Sequence, residues 1–223
     1  MNKQGPKGIG WCTETWNPVR GLCPEACPFC YARRIYARFH YDPEIRLDEK
    51  ELMAPYKLKK PARIFCGSTI EMFHQDIHGD WLRRIIEVIK DNPQHVFQFL
   101  YHFSPHRGLF PQNCWLGLTV TSYIDAGKAL KFSKTYPNHI KFISFEPLLG
   151  DPKIPEEVFE NINWVIIGAE SGNRKGKIEP HKGWIAKLLN AADKHHLPVY
   201  MKDNLPSFPN IKRRQEFPKG GDV

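Results

Sequence analysis

Short apolar runs alternate along this chain with stretches in which apolar residues recur at helical spacing. The runs predict strands over residues 11–19, 63–67, 95–100, 115–120, 140–145, 164–168 and 197–201. Pro18 ends regular pairing in the first of these, because proline has no N–H to offer. Helices are predicted between the strands. One follows Cys30, with Tyr31, Ile35 and Phe39 on one face and Arg33, Arg34 and Arg38 elsewhere around it. Another covers residues 81–90, with Asp80 as its cap and Trp81, Ile85, Val88 and Ile89 as its apolar stripe. Two more run over residues 125–134 and 182–194. Residues 41–62 are polar and carry Pro43, Pro55 and Pro61, so they read as a loop with a short helix at 49–53.

Strands alternating with helices give a parallel sheet with right-handed crossovers. The expected fold class is therefore α/β, in the form of a partial (β/α)6-type TIM barrel over residues 1–205. It is shorter than a complete barrel of roughly 250 residues. Residues 206–223 read as a basic, Pro-rich and irregular tail, packed on the barrel or trailing from it. No internal repeat and no second domain is expected.

Composition narrows the class. A chain of 223 residues can bury a substantial core, and 41% hydrophobic with 13% aromatic residues is a globular composition. Lys and Arg exceed Asp and Glu by 32 to 24, a net charge of +8, and the pI is near 9.2. Such a surplus suits a polyanionic partner, and equally suits solubility alone. Residues 1–11 are polar and Gly-rich, without the apolar core of a signal peptide, and no run is long enough to span a bilayer. The expectation is a cytoplasmic protein without membrane contact. Its six cysteines would then be reduced.

Three of those cysteines, Cys23, Cys27 and Cys30, share one loop at C-x3-C-x2-C spacing. Thiolates are soft ligands that select zinc or iron–sulfur clusters. A zinc site wants a fourth protein ligand, and no second C-x2-C or H-x3-H pair follows. Cys12 is the nearest candidate for that fourth place. A [4Fe–4S] cluster held by three thiolates instead leaves one iron open to a ligand that is not protein. The histidines His74, His78, His102, His106, His195 and His196 form no metal-ligand pattern and suit surface or capping roles.

In a barrel, reactive groups collect at the C-terminal ends of strands. Gly67, Ser68 and Thr69 end the second strand, as a ligand contact or as simple turn chemistry. Thr119 and Thr121 share one face and suit ribose hydroxyls, though threonine is also an ordinary strand former. Ser144 and Glu146 end a very apolar strand, where an unpaired carboxylate is costly and so implies a use. Gly168 and Glu170 end the next. Lys202 and Asp203 are either a substrate contact or a solvated turn. Cys66 and Cys114 read as buried thiols, with Cys66 the one placed at the barrel mouth. Of the basic clusters, Arg174, Lys175 and Lys177 border the expected active site.

The cysteine spacing, with Phe29 before the third thiol, resembles the signature of the radical S-adenosylmethionine (SAM) enzymes. Residues 15–19 (Thr-Trp-Asn-Pro-Val), 30–32 (Cys-Tyr-Ala), 67–68, 115–117, 141–150, 164–172 and 202–205 are similar to a branch of that superfamily found in phages, bacteria and archaea. The resemblance implies a [4Fe–4S] cluster on Cys23, Cys27 and Cys30, with SAM on the open iron and cleaved to a 5′-deoxyadenosyl radical. It implies SAM contacts at Phe29, Gly67, Ser68, Thr69, Thr119, Thr121, Ser144, Glu146 and Gly168. Glu170, Lys202, Asp203 and Cys66 are then the candidate catalytic groups. It further implies an electron donor of the flavodoxin or ferredoxin type. Spore photoproduct lyase shares the Cys-x2-Cys-Tyr ending, which favours a nucleic-acid substrate. The glycine-glycine-glutamate element of many members is here Cys66-Gly67-Ser68, and no second run of cysteines exists for an auxiliary cluster. The alternative is a zinc-stabilised basic module that binds nucleic acid without catalysis.

Overall fold

The apolar runs do become strands and the periodic stretches helices in a computed structural model, which describes residues 1–5, 8–102 and 109–220. The chain forms two compact units: one holds the chain up to Tyr101 with the segment leading to Trp115, the other the chain from Leu116 onward.

In the first unit the elements are β1 (Asn2–Lys3), β2 (Glu14–Trp16), β3 (Val19–Arg20), α1 (Tyr31–Phe39), β4 (Arg46–Leu47), α2 (Glu49–Leu52), β5 (Arg63–Cys66), α3 (Gly79–Lys90) and β6 (Val96–Tyr101). Its sheet runs β1-β2-β5-β6, with β1 antiparallel and the rest parallel. β3 and β4 form a separate antiparallel ribbon. Residues paired across parallel strands point to the same face. One such row is Trp16, Cys66 and Phe99, all buried. The next row, on the opposite face, is Thr15, Phe65 and Gln98.

The boundary between the units falls within β7 (Cys114–Thr119). The second unit continues through α4 (Ala126–Ser133), β8 (Lys141–Phe145), α5 (Glu156–Glu160), β9 (Trp164–Ile167), α6 (Lys182–Lys194) and β10 (Val199–Met201). The order β7-β8-β9-β10 is parallel throughout. Leu118, Ile143, Val165 and Val199 make one row, fully buried and wholly apolar. Thr119, Ser144, Ile166 and Tyr200 make the next, facing the other way. α4, α5 and α6 each bury a short apolar stripe, such as Ile185, Leu188 and Ala192 on α6.

The structure is thus mixed α/β with mostly parallel strands. Among the described residues no pairing closes either sheet into a barrel. No described helix is long and apolar enough to cross a membrane.

Three local expectations change. α3 begins earlier than residue 81, and its cap is His78, whose Nδ1 accepts from the Asp80 N–H (3.3 Å), so Asp80 lies inside the first turn. α1 forms where expected, but its apolar stripe is not core: only Ala32 of that helix is buried, and Phe39 is 53% exposed. The tail is not irregular throughout. Glu216 donates its N–H to Val199 O (3.0 Å), Met201 donates to Arg214 O (2.7 Å), and Phe217 packs against Trp164 and Tyr200 at ring distances of 5.5 and 5.4 Å. The edge of β10 offered unpaired backbone groups, and the tail takes them up.

Phe217→Ala should lower unfolding stability by about 2 kcal/mol through lost apolar burial. The denaturant midpoint measures this, and an unchanged midpoint would mean the tail adds nothing to the second unit.

Candidate metal centre and ligand-binding residues

The cysteine loop lies in the first unit, between β3 and α1. Cys30 is the N-cap residue of α1 and its N–H donates to Cys27 O (3.1 Å), which turns the loop back on itself. The positive end of a helix dipole therefore lies beside the third thiol. No acidic residue in the first turn of α1 offsets it. Cys23 is fixed at both ends: its Sγ accepts from the Glu71 N–H (3.4 Å), and its carbonyl accepts from Arg33 Nη2 (2.7 Å).

All three thiols are half-buried. Burial pushes the Cys27 thiol up to about 11, and negative charge on Cys30 and Cys23 adds to the rise. Burial also raises Cys23, against the Glu71 N–H. In the metal-free chain the loop holds thiols that oppose one another's ionisation, a conflict that a bound cation relieves. Among the described residues no three His, Cys, Asp or Glu side chains form a preformed metal group. The donor set of the loop nonetheless fits an iron–sulfur cluster: three soft ligands, one backbone N–H already given to sulfur, and a helix N-terminus.

Next to the loop, the turn after β5 is tied down by polar contacts. Asn17 and Ser68 exchange side-chain hydrogen bonds (3.1 and 3.2 Å), and Tyr31 Oη donates to Ser68 O (2.5 Å). Gly67 has φ 73°, in the region that glycine occupies freely. Thr69 and Phe29 are half-buried. Cys66 is on the buried row with Trp16 and Phe99, its thiol pushed well up by burial and then by Cys114 and Cys12. Cys12 and Cys114 are thus each brought within electrostatic reach of Cys66, which sequence spacing had not suggested. On the other face, the fully buried amide of Gln98 has no partner for either polar atom among the described residues. Gln98 was not among the expected site residues; a glutamine inside an apolar strand was the available signal.

In the second unit Glu146 and Lys202 form an ion pair, with side-chain exposures of 18% and 13%. A Cβ on Gly168 would lie 3.0–3.1 Å from both side chains, so glycine is what lets them meet there. Ser144, one residue-pair deeper on the same strand face, is fully buried and its Oγ is unpartnered among the described residues. Thr119 pairs with it in register. These four expected residues and Lys202 gather on one face. Thr121 is engaged elsewhere: its hydroxyl and N–H both donate to Asp125 Oδ2 (2.9 and 2.7 Å). Asp203 is exposed and accepts from Gln215 in the tail (3.0 Å).

Glu170 is 1% exposed and takes a two-pronged ion pair from Arg174 (2.7 and 2.8 Å). That engagement removes Arg174 from the basic patch expected to face a polyanion. Asn204 clamps the same loop, accepting from Ala169 N–H and donating to Ala169 O (3.1 and 2.6 Å). Arg213 and Arg214 are also committed, to carbonyls of residues 202 and 205 and to Glu216 and Asp193. Among the histidines, His78 caps α3 and His195 bonds Glu156 (2.9 Å), while His106 lies outside the described residues.

Arg174→Ala should lower the melting temperature, because it leaves a buried carboxylate without its counter-charge. Adding Glu170→Gln should restore part of the loss. Equal melting of the single and double variants would show that the pair is not coupled.

One family model, described as a protein of unknown function (DUF5131), matches residues 6–205, a span that runs from before β2 to past β10. No curated protein and no solved structure matches the chain. A match over so much of the sequence establishes membership, and the chain belongs to the DUF5131 family.

Proposed function

We propose that this chain is a radical SAM enzyme, its parallel strands forming the partial barrel of that superfamily. The observation that carries the reading is the cysteine loop: three thiols at C-x3-C-x2-C spacing, set at the N-terminus of α1, with a backbone N–H directed at the Cys23 sulfur. Cys23, Cys27 and Cys30 are the residues that hold the cluster. When bound, a [4Fe–4S] cluster on three thiolates supplies one electron and an iron open to SAM, whose cleavage gives the 5′-deoxyadenosyl radical.

The protein's own contribution is binding, orientation and exclusion of water. The Glu71 N–H and the α1 dipole stabilise negative charge on sulfur. The Asn17–Ser68 exchange and the Tyr31 bond hold the turn after β5 in one shape. In the second unit, Glu146 and Lys202 offer a carboxylate and an ammonium that can exchange their mutual contact for a ligand's. Ser144 offers a buried hydroxyl. Glu170 is better read as the anchor of its loop, because Arg174 neutralises it. An electron donor of the flavodoxin or ferredoxin type and a cytoplasmic location belong to this reading.

Anaerobic reconstitution with iron and sulfide tests it. The wild type should turn brown, hold iron, and release 5′-deoxyadenosine from SAM with dithionite. Cys27→Ala should lose the iron and Cys114→Ala should keep it. Iron retained by Cys27→Ala, or zinc as the bound metal, overturns the assignment and favours the zinc-stabilised module.

Glu146→Gln should keep the iron and weaken SAM binding on the order of tenfold, the usual size for a lost charge-assisted hydrogen bond. Equilibrium dialysis with labelled SAM reads this. Unchanged affinity together with unchanged 5′-deoxyadenosine yield would remove Glu146 from the site.

A further inference from the structure

α1 is the least covered of the longer helices in its unit. It spans nine residues and buries one, Ala32. Its apolar residues Tyr31 and Ile35 are each 39% exposed, Phe39 is 53% exposed, and Tyr41 just beyond the helix is 54% exposed. Phe39 and Tyr41 are stacked, with centroids 5.6 Å apart and planes 23° apart. The Arg38 guanidinium lies 5.3 Å from the Phe39 centroid. The helix carries Arg33, Arg34 and Arg38 and no acidic residue. Beside it opens a cleft of about 510 Å³ lined by Leu22, Arg33, Arg34, Tyr36, His40 and Tyr41 among others. Large exposed rings interleaved with arginines are costly to leave in water without a use.

We propose that this face of α1 is a platform for single-stranded nucleic acid. Three observations select that partner. α1 carries three arginines and no acidic residue, while Arg174, Arg213 and Arg214 elsewhere each bond groups of the second unit. Stacked, exposed rings beside guanidinium groups match unpaired bases, each of which has a face to stack. A duplex already stacks its bases on one another and offers that surface only phosphates. An acidic protein would use the arginines and leave the rings without a partner. The platform also adjoins the cysteine loop, because α1 starts directly after Cys30 and Arg33 bonds the Cys23 carbonyl. It therefore supplies the substrate class for the radical SAM reading, on which only that consequence rests.

Fluorescence anisotropy on the whole chain, as purified and after iron chelation, tests the platform with a labelled single-stranded oligonucleotide, as DNA and as RNA, and with the matching duplex. Single strands should bind more tightly than duplex in both preparations. Phe39→Ala/Tyr41→Ala should lower single-strand affinity tenfold or more, in keeping with stacking on each ring. Phe39→Leu/Tyr41→Leu should lose as much while keeping the apolar area, which separates stacking from any change in folding. Arg38→Ala should flatten the log–log salt dependence by about 0.7, the release expected for one phosphate contact on a single strand. Equal binding of duplex and single strand, full affinity in the Leu variant, or displacement by polyglutamate as effective as by unlabelled oligonucleotide would each overturn the platform. Zinc in place of iron with single-strand binding intact would overturn the enzyme reading and leave the platform standing.

Discussion

The alternation of side chains along parallel strands is the constraint from which the rest of this structure follows. Each residue that faces a buried apolar row is followed by one that faces the other way. In the second unit this gives the wholly apolar row of Leu118, Ile143, Val165 and Val199, and beside it the row with Thr119 and Ser144. In the first unit the same rule turns Cys66 into the core with Trp16 and Phe99 and puts Gln98 on the opposite face. A slip of one residue would exchange these sets, setting Thr119, Ser144 and Gln98 in the places of the apolar rows, on a sheet buried on both faces. The register is therefore held by burial, and the candidate chemistry is placed by what is left over.

Charge follows a similar economy. Three carboxylates away from full exposure are matched by a cation: Glu170 with Arg174, Glu146 with Lys202, Asp125 with Lys128 at 3.0 Å. Leaving any of those carboxylates uncompensated away from water would cost several kcal/mol. The matched pairs consume basic residues that look available in the sequence. Arginines on α1 are not consumed by acids of their own helix, and they lie among exposed rings. A surplus of positive charge thus becomes a local feature with a shape.

The cysteine loop illustrates how a site can be encoded and still incomplete. Its three thiols are held by short-range constraints: the Cys27–Cys30 turn, the N-terminus of α1 and the contacts at Cys23. Burial first, and then negative charge on Cys30 and Cys23, pushes the Cys27 thiol up to about 11. Under the cluster reading proposed above, such a set would gain stability on loading, when protons leave and a cation replaces them.

The strands at β2, β5, β6, β7, β8, β9 and β10 and the helices α1, α3, α4 and α6 were legible in the amino-acid sequence, because period-two and period-3.6 patterns of burial are local records of one face meeting a core. The cysteine spacing was legible for the same reason, since its ligands share one loop. The sequence alone could not say that α1 exposes its apolar stripe, because periodicity records a face without recording what covers it. Nor could it say that the tail pairs with β10, that Thr121 is taken by Asp125, or that Arg174 is spent on Glu170. Nor could it say that Asp203, read as a substrate contact or a solvated turn, accepts from Gln215 in the tail. Cys12, Cys66 and Cys114 lie far apart in the chain and come together only when β2, β5 and their neighbours pack. Each of these is a choice among partners distant in sequence or interchangeable in type, and only the packed backbone ranks them by distance and burial.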